Sequence, residues 1–224
     1  MMENFVRHES KYLLTRDEYK KLMEQINEYI KPDIHVSSHV LSVYFDTDDY
    51  RLLTRSIEKP KFKEKLRIRS YEPPLNNDDV YIELKKKLNG VVYKSRTRVN
   101  YNDVLNDLSR SDYEDEMIGN EIKNLVMRYE KLTPKILISC DREYFVGKED
   151  PSLRITFDSN MKYRVKNVSL NDMEDDLSMN ESIVMEIKVK DAIPLWLSKK
   201  LDELKIYRCS FSKVGTAYLK EIKR

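Results

Sequence analysis

The chain has 224 residues, 36% of them charged and 40% hydrophobic, with a formal net charge of +2. So small a net charge excludes a protein that meets nucleic acid through a global basic field, and any electrostatic function must come from local segregation of charge. Four glycines, seven scattered prolines and the lack of any repeat or low-complexity stretch mark no linker, so 1–224 reads as one domain with a sizeable core.

In chain order, residues 7–14 read as a strand. Residues 15–30 read as an amphipathic helix, with Thr15 at the N-cap, Glu18 at N3 in a capping box, and Pro32 as the stop. Residues 39–47 suit a strand, 48–57 a short helix, and 61–71 a long alternating strand closed by Pro73-Pro74. Residues 79–99 form a hairpin, because Asn89-Gly90 suits a type I′ turn, whose central residues both need φ > 0. Residues 101–108 and 116–130 read as helices, and 134–146, 153–165 and 182–190 as strands. Residues 193–204 read as a helix with Pro194 near its first turn, and 212–222 as a loop that ends in a helix. Eight or nine mostly antiparallel strands with several helices make an α+β protein built on a large sheet.

The strands share a pattern. Val80, Ile82 and Leu84 lie on one face, and Tyr81, Glu83, Lys85 and Lys87 on the other; Lys94, Arg96 and Arg98 share a face of the return strand. Arg67 alternates with Arg69 in the same way, and Glu9 with Lys11. Arg154 shares a face with Thr156 and Asp158, and Glu186 and Lys188 stand opposite Met185 and Ile187. Arg142 projects from another strand of the same character. One such strand is an ordinary wet face. A hairpin and five further strands with a basic excess are not, because like charges across strands repel. A closed barrel would hold these charges inside and need a polyanionic guest, and the planar fork of Arg suits phosphate oxygens.

The ordered set "RHESKY", "SVYFDT", "KLRIRSY", "YIELKKK", "YKSR", "CDREYF", "LRITFD", "VMEIKVK" and "FSKVGTAYL" resembles the VTC (vacuolar transporter chaperone) polyphosphate polymerase domain. That domain belongs to the triphosphate tunnel metalloenzyme, or CYTH-like, superfamily, and the resemblance runs from about residue 5 to 220. It implies an α+β fold: an eight-stranded antiparallel β tunnel lined by basic residues, with helices packed around it. It also implies catalytic roles for Lys11, Arg67, Arg69, Arg154 and Lys188, and substrate binding by Lys85, Lys94, Arg142 and Lys213. Glu186 would hold Mn²⁺ or Mg²⁺, with Glu83 and Glu9 as helpers. Arg96 and Arg98 share the face of Lys94 and would trade roles with it on a register shift.

The activity so implied is transfer of the γ-phosphate of ATP to a growing inorganic polyphosphate chain. The triphosphatases of this superfamily begin with an ExExK motif, and here Arg7 stands at the first glutamate position. Loss of that carboxylate weakens a metal cage that would activate water, which tilts the reading from hydrolysis toward transfer. The alternatives are a tripolyphosphatase or nucleoside triphosphatase in the same tunnel and a non-catalytic polyphosphate-binding module; an adenylate cyclase is a weaker alternative. His8, His35 and His39 have no metal-ligand spacing and no nucleophile beside them, and read as structural or exposed. Residues 85–87 sit in an alternating strand and do not read as a nucleic-acid patch. Trp196 reads as a core anchor of its helix.

Residues 1–14 have no apolar h-region, so no signal peptide is expected, and no apolar run approaches the roughly 18 residues that span a bilayer. Cys140 and Cys209, outside any CxxC or CxxH context, read as reduced thiols. The expectation is a cytoplasmic protein with ATP and polyphosphate as partners, no nucleic acid and no direct membrane insertion. If product crosses a membrane, a membrane-protein partner would have to carry it.

Overall fold

The computed structural model describes residues 8–58, 60–89, 91–171 and 176–223. Arg7 and Gly90 lie outside the described residues. The elements run β1 (His8–Leu14), α1 (Arg16–Ile26), β2 (Ile30–Asp46), α2 (Arg51–Ile57), β3 (Phe62–Ser70), β4 (Asp79–Leu88), β5 (Val91–Asn100), α3 (Tyr101–Asn106) and α4 (Glu116–Tyr129). They continue as β6 (Thr133–Gly147), β7 (Arg154–Arg164), β8 (Leu177–Ser178), β9 (Ile183–Val189), α5 (Leu195–Glu203), β10 (Arg208–Cys209) and α6 (Lys213–Glu221).

The strands follow the order β10-β1-β9-β7-β6-β2-β3-β4-β5, with β8 paired to β7. The residues read as eight or nine strands and the resemblance implies eight; β1 to β7 with β9 are the eight long ones, and among the described residues the sheet has ten strands in all. β8 and β10 hold two residues each. The β1–β9, β7–β9, β2–β3, β3–β4 and β4–β5 pairs are all antiparallel. Among the described residues, no helix is long and apolar enough to cross a membrane.

Local sequence signals account for most boundaries. The Thr15 hydroxyl accepts from the Glu18 N–H while a Glu18 carboxylate oxygen accepts from the Thr15 N–H, so two unpaired helix donors are satisfied together. Leu88 and Val91 are direct partners in the β4–β5 ladder, and Asn89 has φ 48°, as a two-residue turn of the primed type requires. The sequence-based expectation fails in one long stretch. α1 stops at Ile26 rather than residue 30, and β2 begins at Ile30 and runs on through Pro32. Pro32 is therefore a strand residue and not a helix stop. At the far end, α6 is helical from Lys213 onward, where a loop was expected.

The chain divides into two compact units of interleaved segments. The first comprises residues 1–39, 140–161 and 178–212. Its core joins Tyr12 and Leu14 of β1, Met185 and Ile187 of β9, and Ile155 and Phe157 of β7 to Leu22 and Ile26 of α1 and Leu197 and Leu201 of α5. Trp196 packs against this core and stacks on Tyr29 at 4.3 Å between ring centroids. The second unit comprises residues 40–139, 162–177 and 213–224. Leu66 and Ile68, Val80, Ile82 and Leu84, and Val99 share its core with Val104 of α3 and Ile122, Leu125 and Val126 of α4. In each unit the two-residue strand period sends these apolar side chains to one face, which frees the opposite face for charge.

Candidate functional site

In the second unit the polar face is built by register. The β2–β3, β3–β4 and β4–β5 ladders place Tyr44, Arg67, Glu83 and Arg96 in one row across four strands. The next row is Ser42, Arg69, Tyr81 and Arg98. On the other side Lys65, Lys85 and Lys94 are direct neighbours across three strands. With Lys63 and Lys87 added, β3, β4 and β5 present nine basic residues on this face (Lys63, Lys65, Arg67, Arg69, Lys85, Lys87, Lys94, Arg96, Arg98) against two acids, the buried Glu83 and the exposed Asp79 at the strand end. Lys86 points to the opposite face and bonds Glu121 of α4 at 2.6 Å, which confirms the alternation through 85–87.

Glu83 is 1% exposed, and cations surround it. One oxygen, Oε2, takes Arg67 Nη2 at 2.6 Å and Nε at 2.8 Å, with Arg69 at 4.0 Å. The other, Oε1, meets Lys94 at 2.6 Å and Arg96 at 3.6 Å. Burial alone would raise its pKa, but Arg67, Arg69 and Lys94 hold the carboxyl well below the ordinary carboxylate range. Arg67 is fixed from its other side as well, since Nη1 donates to the Tyr44 hydroxyl at 2.8 Å. Burial would raise the Tyr44 phenol, yet the charges of Arg67, Lys65 and Arg69 and the hydrogen bond from Arg67 bring it down to about 8. Beside this row Arg96 lies over the Tyr81 ring at 3.5 Å from its centroid, and Arg98 at 5.7 Å.

The first unit carries a smaller polar face. There β1, β9 and β7 align Lys11, Glu186 and Thr156 in one row and Glu9, Lys188 and Arg154 in the next. Lys188 Nζ stands 2.6 Å from Glu186 Oε1, and Lys11 Nζ 3.6 Å from Oε2 and 3.6 Å from Glu9. Burial opposes the Glu186 charge, but Lys188, Lys11 and Arg142 keep its carboxyl well below the ordinary range. Arg142 forms a forked pair with the buried Asp158, Nη2 donating at 2.7 Å. Arg154 is exposed and makes no ion pair with any described residue. His39 Nδ1 lies 2.7 Å from Asp141 Oδ1.

The sequence-selected residues thus fall into two sets. Glu9, Lys11, Arg142, Arg154, Glu186 and Lys188 belong to the first unit; Arg67, Arg69, Glu83, Lys85, Lys94 and Lys213 belong to the second. Ladder register brings together Lys11, Glu186, Lys188, Glu9 and Arg154 in one unit and Arg67, Arg69, Glu83, Lys85 and Lys94 in the other. Lys213 is placed instead by a helix, as the first residue of α6. Between Lys94, Arg96 and Arg98 the register distributes the work: Lys94 and Arg96 reach Glu83, whereas Arg98 meets Tyr81 and, at 4.0 Å, Glu114. Sequence reasoning assigned no role to Tyr44, the clamp on Arg67. The alternation of Ser42, Tyr44 and Asp46 in its strand carried that signal.

No group of three or more His, Cys, Asp or Glu among the described residues is arranged to hold a metal by itself. Glu186 is kept ionised, and beside it the buried Thr156 hydroxyl has no hydrogen-bond partner. Two hard oxygen donors of this kind fit Mg²⁺ or Mn²⁺ when substrate phosphates supply the remaining ligands.

A family model, the VTC domain, matches residues 6–221. A search among curated proteins finds no match. Among solved structures, a candidate adenylate cyclase from Bacillus halodurans aligns with a TM-score of 0.57 at 14% identity, covering 92% of this chain and 94% of that one. A protein from Pyrococcus horikoshii aligns at 0.48 and 13% identity, over 96% and 99% of the two chains. At 14% identity the first of these likenesses speaks for the fold.

Proposed function

The chain belongs to the VTC domain family, and from that premise we propose that it is a metal-dependent polyphosphate polymerase using ATP. The observation that carries this reading is the row Lys65, Lys85 and Lys94 within a face of nine basic residues and two acids. Like charges directly opposite one another destabilise a sheet. A run of phosphates offsets that repulsion at several points at once, and no single small anion does so.

Each face has its own task in this reading. Lys85, Lys94, Arg67 and Arg69 hold consecutive phosphates of the chain. Glu83 keeps Arg67 oriented from one edge while Tyr44 holds it from another, so the guanidinium's remaining N–H groups are fixed for phosphate oxygens. On the other face Lys11, Lys188 and Arg154 neutralise the oxygens of the ATP phosphates, and Arg142, oriented by Asp158, guides the chain. Lys213 adds a further phosphate contact. Glu186, with Glu9 one row away, would hold Mn²⁺ or Mg²⁺, which when bound neutralises charge on the phosphates. Glu83 serves as counter-ion to the basic row.

The reaction needs no general base. The ionised terminal phosphate of the chain attacks the γ-phosphorus of ATP in line. A new P–O–P bond forms, the bond from the γ-phosphorus to the β–γ bridging oxygen breaks, and ADP leaves with that oxygen. The protein positions both partners and stabilises the equatorial oxygens.

Purified protein incubated with ATP and Mn²⁺, read by gel for polymer and by chromatography for nucleotides, tests this. Polymer and ADP in step are the expected products. Free phosphate without polymer would instead identify a hydrolase, cyclic AMP a cyclase, and polyphosphate binding without ADP a non-catalytic module.

A further inference from the structure

The orphaned hydroxyl of Thr156 carries an assignment of its own. Thr156 is 7% exposed, and its Oγ1 is buried with no hydrogen-bond partner. A buried hydroxyl left in that state is unfavourable, because it loses water and gains nothing in return. Valine has the same shape and would fill the site without that penalty. A chain that keeps threonine there keeps it for something the bare protein does not supply.

The ladder says what lies beside it. Thr156 is the direct partner of Glu186 across β7 and β9, and Glu186 is the direct partner of Lys11 across β9 and β1. Directly opposite residues on one face have Cβ atoms about 4.5–5.5 Å apart, so one cation with ligand distances of about 2.0–2.6 Å can touch a side chain from each. The two carboxylate oxygens are not equivalent. Oε1 is engaged by Lys188 at 2.6 Å, whereas the Lys11 contact at Oε2, at 3.6 Å, is too long for a hydrogen bond.

Charge separates this face from the other. Lys11, Arg142, Arg154 and Lys188 are balanced here by Glu9, Asp158 and Glu186, four against three, whereas β3, β4 and β5 of the second unit set nine against two. A divalent cation is repelled far less by the balanced face. We infer that the Thr156 hydroxyl is an oxygen ligand, together with Glu186, of the divalent cation that accompanies the substrate's phosphates. This rests on the assignment of Glu186 to the metal in the proposed function.

The test uses the full chain and binding alone. Mn²⁺ affinity is titrated by the loss of the free-ion electron paramagnetic resonance signal, in the presence of inorganic tripolyphosphate. Thr156→Val should weaken Mn²⁺ binding by about tenfold or more, the scale on which even outer partners of a metal act, and Thr156→Ser should restore it. Tripolyphosphate binding in EDTA should be the same for wild type and Thr156→Val, and the valine variant should melt no lower than wild type. Unchanged Mn²⁺ affinity in Thr156→Val, with Glu186→Gln losing the ion, would overturn the role of Thr156 and leave the Glu186 reading standing. Unchanged affinity in Glu186→Gln as well would overturn both. Weaker tripolyphosphate binding by Thr156→Val in EDTA would make the hydroxyl a phosphate donor and also overturn the inference.

Discussion

Arg67 and Glu83, direct partners across β3 and β4, share a single carboxylate oxygen: Oε2 of Glu83 accepts from both Nε and Nη2 of Arg67, at 2.8 and 2.6 Å. The second oxygen is thereby left to Lys94 and Arg96. One buried acid thus organises side chains from two flanking strands. Several consequences can be measured.

Removing that acid should be severe. Glu83→Ala leaves Arg67, Arg69, Lys94 and Arg96 without their common counter-ion, and breaking a buried pair from one side costs about 3–5 kcal/mol. Urea unfolding is expected to show a loss of this order. Added tripolyphosphate should raise the melting temperature of the variant more than that of wild type, since the ligand supplies the missing negative charge. An equal rise in both would show that Glu83 is not balancing the phosphate-binding cations.

The same residue gives an acid limb. Its folded pKa lies below the ordinary 4.5, the opposing effect of burial being overcome by Arg67, Arg69 and Lys94. A depressed folded pKa contributes stability that is fully present above the unfolded value and is lost as pH falls through the folded one. The stability gap between wild type and Glu83→Gln should therefore be constant above about pH 5 and narrow steadily below it. Denaturant titrations at stepped pH read this directly, and a gap that widens in acid would contradict the pair.

Tyr44 gives an alkaline signal of the same sign. Its phenol ionises at about 8 in the folded chain instead of 10.0, burial being outweighed by Arg67, Lys65 and Arg69. Between those two values the folded state has released a proton that the unfolded state still holds. Wild type should gain stability over Tyr44→Phe as pH rises through this window. Ultraviolet difference titration should show one tyrosinate with a midpoint near 8 that the Phe variant lacks. If polymer synthesis depends on Arg67 being held, Tyr44→Phe should lower kcat with little change in KM for ATP.

The lysine row should govern salt sensitivity. Lys85 is flanked by Lys65 and Lys94, so Lys85→Ala relieves repulsion in the bare protein while removing a phosphate contact. The variant is expected to be no less stable than wild type, to bind tripolyphosphate more weakly, and to lose less affinity between low and high salt. Isothermal titration at two ionic strengths separates these effects.

Arg67→Ala and Glu186→Gln should each abolish ATP-dependent polymer formation. Each substitution removes a group assigned to phosphate or metal, one in each unit. Full activity in both variants, measured by gel, would remove the proposed site.

Much of the local structure is legible in the sequence. The Asn89 turn, the Thr15–Glu18 box and the alternation of Leu66, Arg67, Ile68 and Arg69 are local signals, and local signals survive into the fold. The first half of β2 was not legible, for a physical reason. From residue 31 to 37 almost every side chain is exposed, Ile34 to 93%, so neither face is marked by burial, and Pro32 withholds a donor from the ladder. The site divides in the same way. Which residues are basic and which face they share could be read by counting in twos. That Arg142 pairs with Asp158, that Tyr44 caps Arg67, and that Lys94 and Arg96 rather than Arg98 reach Glu83 depends on which strands lie side by side, and spacing within one strand carries no such information.

The interleaving of the two units has a practical corollary for anyone who wishes to take the protein apart. The chain passes from one unit to the other at residues 39/40, 139/140, 161/162, 177/178 and 212/213, and the first four of these crossings fall inside β2, β6, β7 and β8. No deletion from either terminus yields one half intact, and a protease nick in a surface loop would not release one. Segmental labelling or split-protein designs should therefore place their junctions in the connections between strands and keep every fragment in the tube.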